Sequence, residues 1–88
     1  MTRLGDKPVR SVRTAKYDKL LGLLKELRAE SGMTQKQLCD RLGQDLTYIS
    51  KIERGTRRLD LIEFFDLAEA LGQDPIGIAL RFTEMLND

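Results

Sequence analysis

Histidine is absent from this sequence, and cysteine occurs once, at Cys39. Zinc sites are built mainly from several Cys and His side chains, and one cysteine cannot close a disulfide within its own chain. We therefore expect no metal, no cofactor and no internal disulfide. Cys39 is interpreted as a small buried thiol in a protein of the reducing cytoplasm.

Long apolar runs are also missing. No stretch approaches the ~20 apolar residues that cross a bilayer, and Met1–Gly5 is not followed by the apolar segment of a secretory signal. Alternating runs of β-branched residues and the Asn-Gly or Asp-Gly turns of β-hairpins are absent. So are a Gly-rich phosphate-binding loop and a nucleophile in a recognisable setting. These absences predict a cytoplasmic, all-α protein that does not associate with membranes and is not an enzyme.

The 88 residues suffice for one domain, whose core is near the lower size limit for independent folding. Residues 1–58 carry fourteen of the fifteen Lys and Arg residues and seven of the fourteen Asp and Glu residues, a net charge of +7. Residues 59–88 carry a net charge of −6. A basic first part favours a polyanionic partner, although chance segregation of solvated charges would give the same numbers.

Residues 1–13 have few apolar side chains and are interpreted as a flexible basic N-terminal arm. Its cations are Arg3, Lys7, Arg10 and Arg13. In residues 14–88, apolar residues recur at three- and four-residue steps, and capping pairs such as Thr34 with Gln37 and Asp60 with Glu63 mark helix starts. The pattern predicts five helices, over about 15–31, 35–42, 46–54, 61–71 and 75–86.

The second and third helices are joined by only Gly43–Asp45. Gly43 can adopt the left-handed conformation that a short turn needs, and Asp45 is a suitable N-cap. Such a short link disfavours antiparallel packing and favours a steep crossing between the helices. This is the helix-turn-helix arrangement, in which the second helix can enter the major groove of DNA.

The stretch from Leu24 to Pro75 resembles the lambda-repressor-like, Xre-type helix-turn-helix family of phage repressors and Cro proteins. The segments that carry the resemblance are Met33–Gln35, Leu38, Cys39, Gly43 and Ile49–Gly55. Two positions depart from the pattern: Gln44 replaces an apolar residue, and Asp45 replaces a neutral cap. The resemblance implies an all-α, five-helix lambda-repressor-like domain.

The resemblance also implies roles for individual residues. Those expected to contact bases are Leu46, Thr47, Ser50 and Lys51. Those expected to contact phosphates are Gln35, Tyr48, Arg54, Arg57 and Arg58. Independently of the resemblance, Arg10 and Arg13 of the basic arm are expected to add phosphate or groove contacts. Arg28 and Glu53 are expected to form a structural salt bridge. Chemically, Leu46 can touch a thymine methyl group and Lys51 can donate to guanine; the alternatives are a solvated run of arginines and a Tyr48 that only shields the domain edge.

Ile49 and Ile52 lie on the opposite side of the third helix from Lys51 and are assigned to the core. Their expected core partners are Leu20, Leu24, Leu27, Leu38, Leu42, Phe64, Ala68 and Leu71. The fifth helix carries more apolar surface than docking requires, which predicts a dimerisation helix. Its interface residues are expected to be Ile78, Phe82 and Met85. The alternative is that Ile76, Leu80 and Phe82 close the open end of the core.

The expected function is therefore that of a sequence-specific transcriptional regulator, a repressor that binds a palindromic operator in double-stranded DNA as a homodimer. It would be associated with the nucleoid in a bacterial or phage-infected cell. The alternative is an antitoxin or another regulator that uses the same fold to engage a partner protein. An extra partner-binding segment would favour the alternative, and only the arm and residues 75–88 could supply one.

Overall fold

A computed structural model describes residues 14–87, and these form five α-helices without a β-strand. The all-α prediction is confirmed. The helices are α1 (Ala15–Glu30), α2 (Gln35–Leu42), α3 (Tyr48–Arg54), α4 (Leu61–Ala70) and α5 (Pro75–Leu86). Among the described residues, no helix is both long enough and apolar enough to cross a membrane. The predicted arm, with Arg10 and Arg13, lies outside the described residues.

Side-chain caps set most of the helix starts. The Thr34 hydroxyl accepts from the backbone N–H of Gln37, whose side chain accepts from the Thr34 N–H in return. Asp60 and Glu63 form the same reciprocal pair at the start of α4. Satisfying backbone donors that have no partner within the helix stabilises each helix end by about 1 kcal/mol.

The start of α3 differs from the prediction. The helix begins at Tyr48, two residues later than the expected 46. The Asp45 carboxylate accepts from both the backbone N–H of Thr47, at 2.9 Å, and its hydroxyl, at 2.8 Å. These bonds hold Leu46 and Thr47 in a turn in front of α3, because an Asp side chain can cap a turn as readily as a helix.

The core lies between all five helices. Its buried side chains are Leu21, Leu23, Leu24, Leu27, Leu38, Cys39, Tyr48, Ile49, Ile52, Leu67, Ala68, Ala70, Leu71 and Ile78. Leu20, Leu42 and Phe64, predicted as core residues, are only half-buried and pack against it. Leu61 and Phe65, which the apolar stripe of α4 includes, are exposed. The helix therefore turns its Leu67 side inward.

The face of α5 that is exposed to solvent is opposite to the face that was predicted as a dimer interface. Ile78 is 3% exposed and belongs to the core. Phe82 and Met85 are half-buried and pack against that core, because they follow Ile78 on the same side of the helix. The exposed apolar residues of α5 are Ile76 and Leu80, at 68% and 62% exposure. The assignment of Ile78 to a dimer interface is therefore corrected to a core position.

Candidate nucleic-acid interface

The link between α2 and α3 is tightly built. Gly43 has a φ of 68°, in the left-handed region that favours glycine, and ends α2. The N–H of Gln44 then donates to the Cys39 carbonyl at 2.9 Å. Cys39 itself is fully buried, with its thiol 3.7 Å from the Leu46 carbonyl. The small side chain lets α2 approach the start of α3, which gives the helix-turn-helix geometry.

One side of α3 is buried and the other faces solvent. Ile49 and Ile52 are fixed in the core. On the opposite side Leu46 is 62% exposed, and Thr47 and Lys51 are exposed as well. We call these three residues the recognition face. The fourth residue expected to contact bases, Ser50, is half-buried beside it.

Hydroxyl groups near the recognition face already donate within the protein. The Thr47 hydroxyl donates to Asp45, and the Ser50 hydroxyl donates to the Thr47 carbonyl at 3.0 Å. The hydrogen bond from the Thr47 hydroxyl, followed by that from its backbone N–H, lowers the pKa of Asp45. The carboxylate is therefore ionised at neutral pH. In this arrangement both hydroxyl oxygens retain acceptor capacity, while Lys51 supplies donors.

A largely covered ion pair connects α3 to the rest of the fold. Arg28 Nε donates to Glu53 Oε2 at 2.7 Å, and Arg28 Nη2 donates to Glu53 Oε1 at 3.2 Å. Arg28 also donates to the Met33 carbonyl, which ties in the segment before α2. The salt bridge implied by the family resemblance is thus present, with side-chain exposures of only 14% and 8%.

Gln35 is expected to contact a phosphate, but its side-chain amide is directed to the Glu53 carboxylate. Its Nε2 donates to Glu53 Oε1 at 2.8 Å. The Gln35 backbone N–H remains at the first turn of α2, where helix amides favour an anion. The Gln35 side chain therefore extends the network that positions α3.

Tyr48 and Arg57, also expected at phosphates, lie against each other. The Tyr48 side chain is buried, and Arg57 Cζ lies 4.8 Å from the centre of its ring. Arg57 Nη2 donates to Glu63 Oε2 at 2.7 Å. Burial, and then the neighbouring Glu63 carboxylate, raise the pKa of Tyr48. The hydrogen bond from Arg57, and then that from the Asp60 N–H, lower the pKa of Glu63 to about 2.

The other two arginines expected at phosphates are Arg54, the last residue of α3, and Arg58, and both are exposed. The Arg58 guanidinium lies 5.1 Å from the centre of the Tyr17 ring. The Tyr17 hydroxyl accepts from the Leu59 N–H at 3.1 Å, which anchors this segment to α1. Stacking leaves the edge of the Arg58 guanidinium available for hydrogen bonding, as a phosphate contact would require.

Sequence reasoning does not find the role of Tyr17 or the pairing of Glu63 with Arg57. It does not single out Tyr17, and it places Glu63 only in a capping pair. The Glu63 carboxylate uses one oxygen for capping and has a second oxygen that can accept another hydrogen bond. Arg57, six residues earlier in the sequence, could have been considered as the donor to that second oxygen. Nothing in the sequence pattern points to Tyr17 as a hydrogen-bond partner of the segment after α3.

Comparisons with known proteins agree with this architecture. The helix-turn-helix family model matches residues 24–78, more than half of the chain. A solved XRE-family like protein from Pseudomonas syringae pv. tomato str. DC3000 is 44% identical, with a TM-score of 0.77; the match covers 81% of this chain and 87% of that one. The restriction-modification controller protein C.Esp1396I, solved as a tetramer in complex with its natural 35 base-pair operator, is 26% identical with a TM-score of 0.77. That match covers 86% of this chain and 100% of the controller chain.

A curated relative, an uncharacterized HTH-type transcriptional regulator (y4dJ) of Sinorhizobium fredii, is 44% identical over 46 residues. The match covers 52% of this chain and 60% of the relative, so the chain spans less than two thirds of that protein's length. On the extent of the family match and on the likeness to the Pseudomonas protein, this chain belongs to the lambda-repressor-like, XRE-type helix-turn-helix family.

Proposed function

We propose that this protein is a sequence-specific transcriptional regulator that binds double-stranded DNA through α3. The observation that carries the proposal is the division of α3 into a core side and the recognition face. Buried Ile49 and Ile52 fix which side is outward, and Lys51 lies on that outward side. An apolar tip, a hydroxyl group and an amine can together discriminate base edges in the major groove.

Two further observations support DNA as the partner. Arg54 and Arg58 are exposed at and beyond the C-terminal end of α3, where they could flank a groove and contact phosphates. C.Esp1396I, which shares this fold, has been solved on its operator. We extend DNA binding from that protein to this chain as part of the proposal.

We further propose that the protein binds as a homodimer. The exposed large apolar residues outside the recognition face all lie on α4 and α5, and we call them the α4–α5 apolar face: Leu61, Ile62, Phe65, Ile76 and Leu80. Leu61 also lines an apolar groove of about 310 Å³ between α4 and α5, with Leu59, Phe64 and Phe82 in its walls. A second copy is the occupant we favour, because a twofold pair would place two recognition helices about 34 Å apart on a palindromic site.

The regulator would act as a repressor in the cytoplasm, at the nucleoid. Repression needs only that the operator be occupied where RNA polymerase must bind, so it requires no additional activating surface. A promoter–reporter assay distinguishes the two modes of regulation. Expression of the protein is expected to lower reporter output, and a rise in output would contradict the repressor role while leaving DNA binding intact.

The test of the function itself is selection of bound duplexes from a random DNA pool. We expect an enriched sequence with two inverted half-sites spaced by about one helical turn. The Lys51→Ala variant, selected in parallel, is expected to lose preference at one position of each half-site. A pool that yields no enriched sequence with the wild-type protein would contradict sequence-specific DNA binding.

A further inference from the structure

Arg57 follows α3 closely, and the family resemblance implied that it holds a DNA phosphate. In the structure its guanidinium is already engaged by the Glu63 carboxylate and the Tyr48 ring. We infer that Arg57 is a positioning residue that fixes Tyr48 and the end of α3, and that its charge takes no part in phosphate binding. This inference rests on the proposed DNA-binding function, within which it assigns Arg57 a different role.

The Arg57–Glu63 pair is held from both sides. Glu63 Oε2 accepts from Arg57 at 2.7 Å, while Glu63 Oε1 accepts from the Asp60 N–H at 3.0 Å. With its pKa lowered to about 2, first by the Arg57 hydrogen bond, Glu63 is ionised at any pH at which the protein would act. The charge of Arg57 is therefore balanced within the protein. Arg57 Nη1 also donates within the protein, to the Arg58 carbonyl at 3.3 Å, so a phosphate would compete with the half-buried Glu63 carboxylate and this carbonyl for the guanidinium.

Arg57 contacts both ends of α3. Its guanidinium covers the ring of Tyr48, the first residue of the helix. Its backbone N–H donates to the Lys51 carbonyl at 3.2 Å, beside the Thr56 N–H, which donates to the same carbonyl at 3.0 Å. The side chain of Arg57 thus acts on α3 through Tyr48, while its backbone joins the turn that closes the helix at Lys51, the proposed base-contacting residue.

Arg58 provides a matched comparison. It is the next residue and also lies over a tyrosine ring, that of Tyr17. Among residues 14–87, however, the structure places no carboxylate within ion-pair distance of Arg58. Within that part of the chain, the charge of Arg58 is therefore not balanced as that of Arg57 is. The two adjacent arginines are expected to respond differently to the same substitution.

The first experiment measures how binding to the selected duplex depends on salt, for the wild type and for Arg57→Gln, Arg58→Gln and Glu63→Gln. Removing a cation that binds a phosphate lowers the slope of log K against log [salt] by about 1. We expect this for Arg58→Gln. Arg57→Gln is expected to weaken DNA binding by roughly tenfold at every salt concentration and to leave the slope unchanged. This magnitude lies between the effects of breaking an exposed ion pair and of breaking a buried one.

Glu63→Gln decides between the two roles by the sign of its effect. If Arg57 is a positioning residue, this substitution loosens it and weakens DNA binding. If Arg57 is a phosphate ligand restrained by Glu63, the substitution releases it, so that binding tightens and the salt slope steepens. Tighter binding by Glu63→Gln, or a slope reduced by about 1 in Arg57→Gln, would overturn the inference.

A second experiment uses the free protein and does not depend on the proposed function. In NMR spectra, Arg57→Gln is expected to shift the ring protons of Tyr48, because the guanidinium lies over that ring. Arg58→Gln is expected to shift the ring protons of Tyr17 instead. Unchanged Tyr48 ring signals in a folded Arg57→Gln variant would overturn the positioning role. If no duplex binds the wild type, the proposed function fails, and these spectra still decide whether Arg57 positions α3.

Discussion

The recognition face and the α4–α5 apolar face differ in what surrounds their exposed apolar groups. Leu46 of the recognition face is accompanied by Thr47 and Lys51, with arginines following α3. The α4–α5 apolar face instead exposes five large apolar side chains on helices that carry acidic residues and only one cation, Arg81. Polar groups of mixed chemistry suit base edges and phosphates, whereas clustered apolar groups suit another protein surface.

The difference follows from the charge distribution along the sequence, because the basic and acidic parts of the chain form different helices. The basic part of the sequence includes α3, while α4 and α5 belong to the acidic part. In the fold, α1 packs against both α3 and α5, so it separates the two. The acidic residues of α5 are thereby kept apart from α3, whereas α4 brings Glu63 to Arg57, whose charge balances it.

The largest effect is expected when the α4–α5 apolar face is disrupted by Leu80→Asp. Leu80 is well exposed, so the variant should fold as a monomer, and the separation of the two DNA-binding units should weaken operator binding by about 10²–10⁴-fold. Sedimentation and gel-shift titration measure the two changes. Phe82→Asp is the contrast, because its half-buried ring supports the core, and its substitution should unfold the domain. A wild-type protein that remains monomeric at tens of micromolar with palindromic DNA would contradict the dimer.

A comparably large effect, on the free energy of unfolding, is expected when the Arg28–Glu53 ion pair that holds α3 is broken. Among the side chains of residues 14–87, Arg28→Ala leaves the largely covered Glu53 carboxylate with the Gln35 amide as its one remaining partner. The free energy of unfolding should fall by about 3–5 kcal/mol, measured by urea denaturation. The control is Lys36→Ala, which breaks the exposed pair with Asp40 and should cost at most about 1 kcal/mol. Equal losses in the two variants would show that burial of the Arg28 pair is unimportant.

A smaller effect is expected when the recognition face loses its amine. Lys51→Ala should weaken operator binding by about 1–3 kcal/mol and relax the preference at one base position. Gel-shift competition with single-base operator variants measures both changes. Lys25→Ala, which removes the same charge from the exposed side of α1, is the control and should keep the sequence preference. Unchanged preference in Lys51→Ala would remove Lys51 from the base-contacting residues.

Removal of residues 1–12 tests whether the basic arm adds to the recognition face. The truncation deletes Arg3, Lys7 and Arg10 but leaves Thr14, which caps α1. We expect a lower salt slope of DNA binding, by about 0.9 for each phosphate that the arm neutralises, with unchanged helicity by circular dichroism. A truncated protein with the wild-type slope would show that the arm takes no part in binding.

The smallest effect is a pH dependence at Glu63, which lies between the segment after α3 and the start of α4. The Arg57 hydrogen bond is the main cause that lowers its folded-state pKa from 4.5 to about 2. The carboxylate therefore contributes stability above about pH 4.5, and this contribution is lost as the pH falls toward 2. In acid unfolding followed by circular dichroism, wild type and Glu63→Gln should differ above pH 5 and converge toward pH 2. A constant difference across this range would contradict the assignment.

Much of the fold can be predicted because its signals are local. Capping residues and left-handed glycines act within a few positions, so the predicted starts of α2, α4 and α5, at Gln35, Leu61 and Pro75, agree with the structure. The predicted start of α3 is two residues early because Asp45 can cap either a helix or a turn, and its bonds to Thr47 select the turn. Local propensity does not distinguish these two uses.

The assignment of side chains to surfaces is less predictable. Ile78 and Leu80 are both large, apolar and two residues apart, yet one is buried and the other exposed. The period of α5 divides its residues into faces, but which face is buried depends on where α1 and α4 lie. The candidate phosphate contacts have the same ambiguity, because an arginine after α3 is available to DNA only if no carboxylate has been brought to it.

The sequence by itself determined the helical class, the helix-turn-helix spacing, the family resemblance and the division of charge. These depend on residue type and on short separations along the chain. Only the tertiary structure decided that Arg57 pairs with Glu63, that Tyr17 anchors Leu59, and that α5 turns Ile78 inward. Contacts of this kind are selected by the packing of whole helices against one another, a property to which many residues contribute and which no local motif encodes.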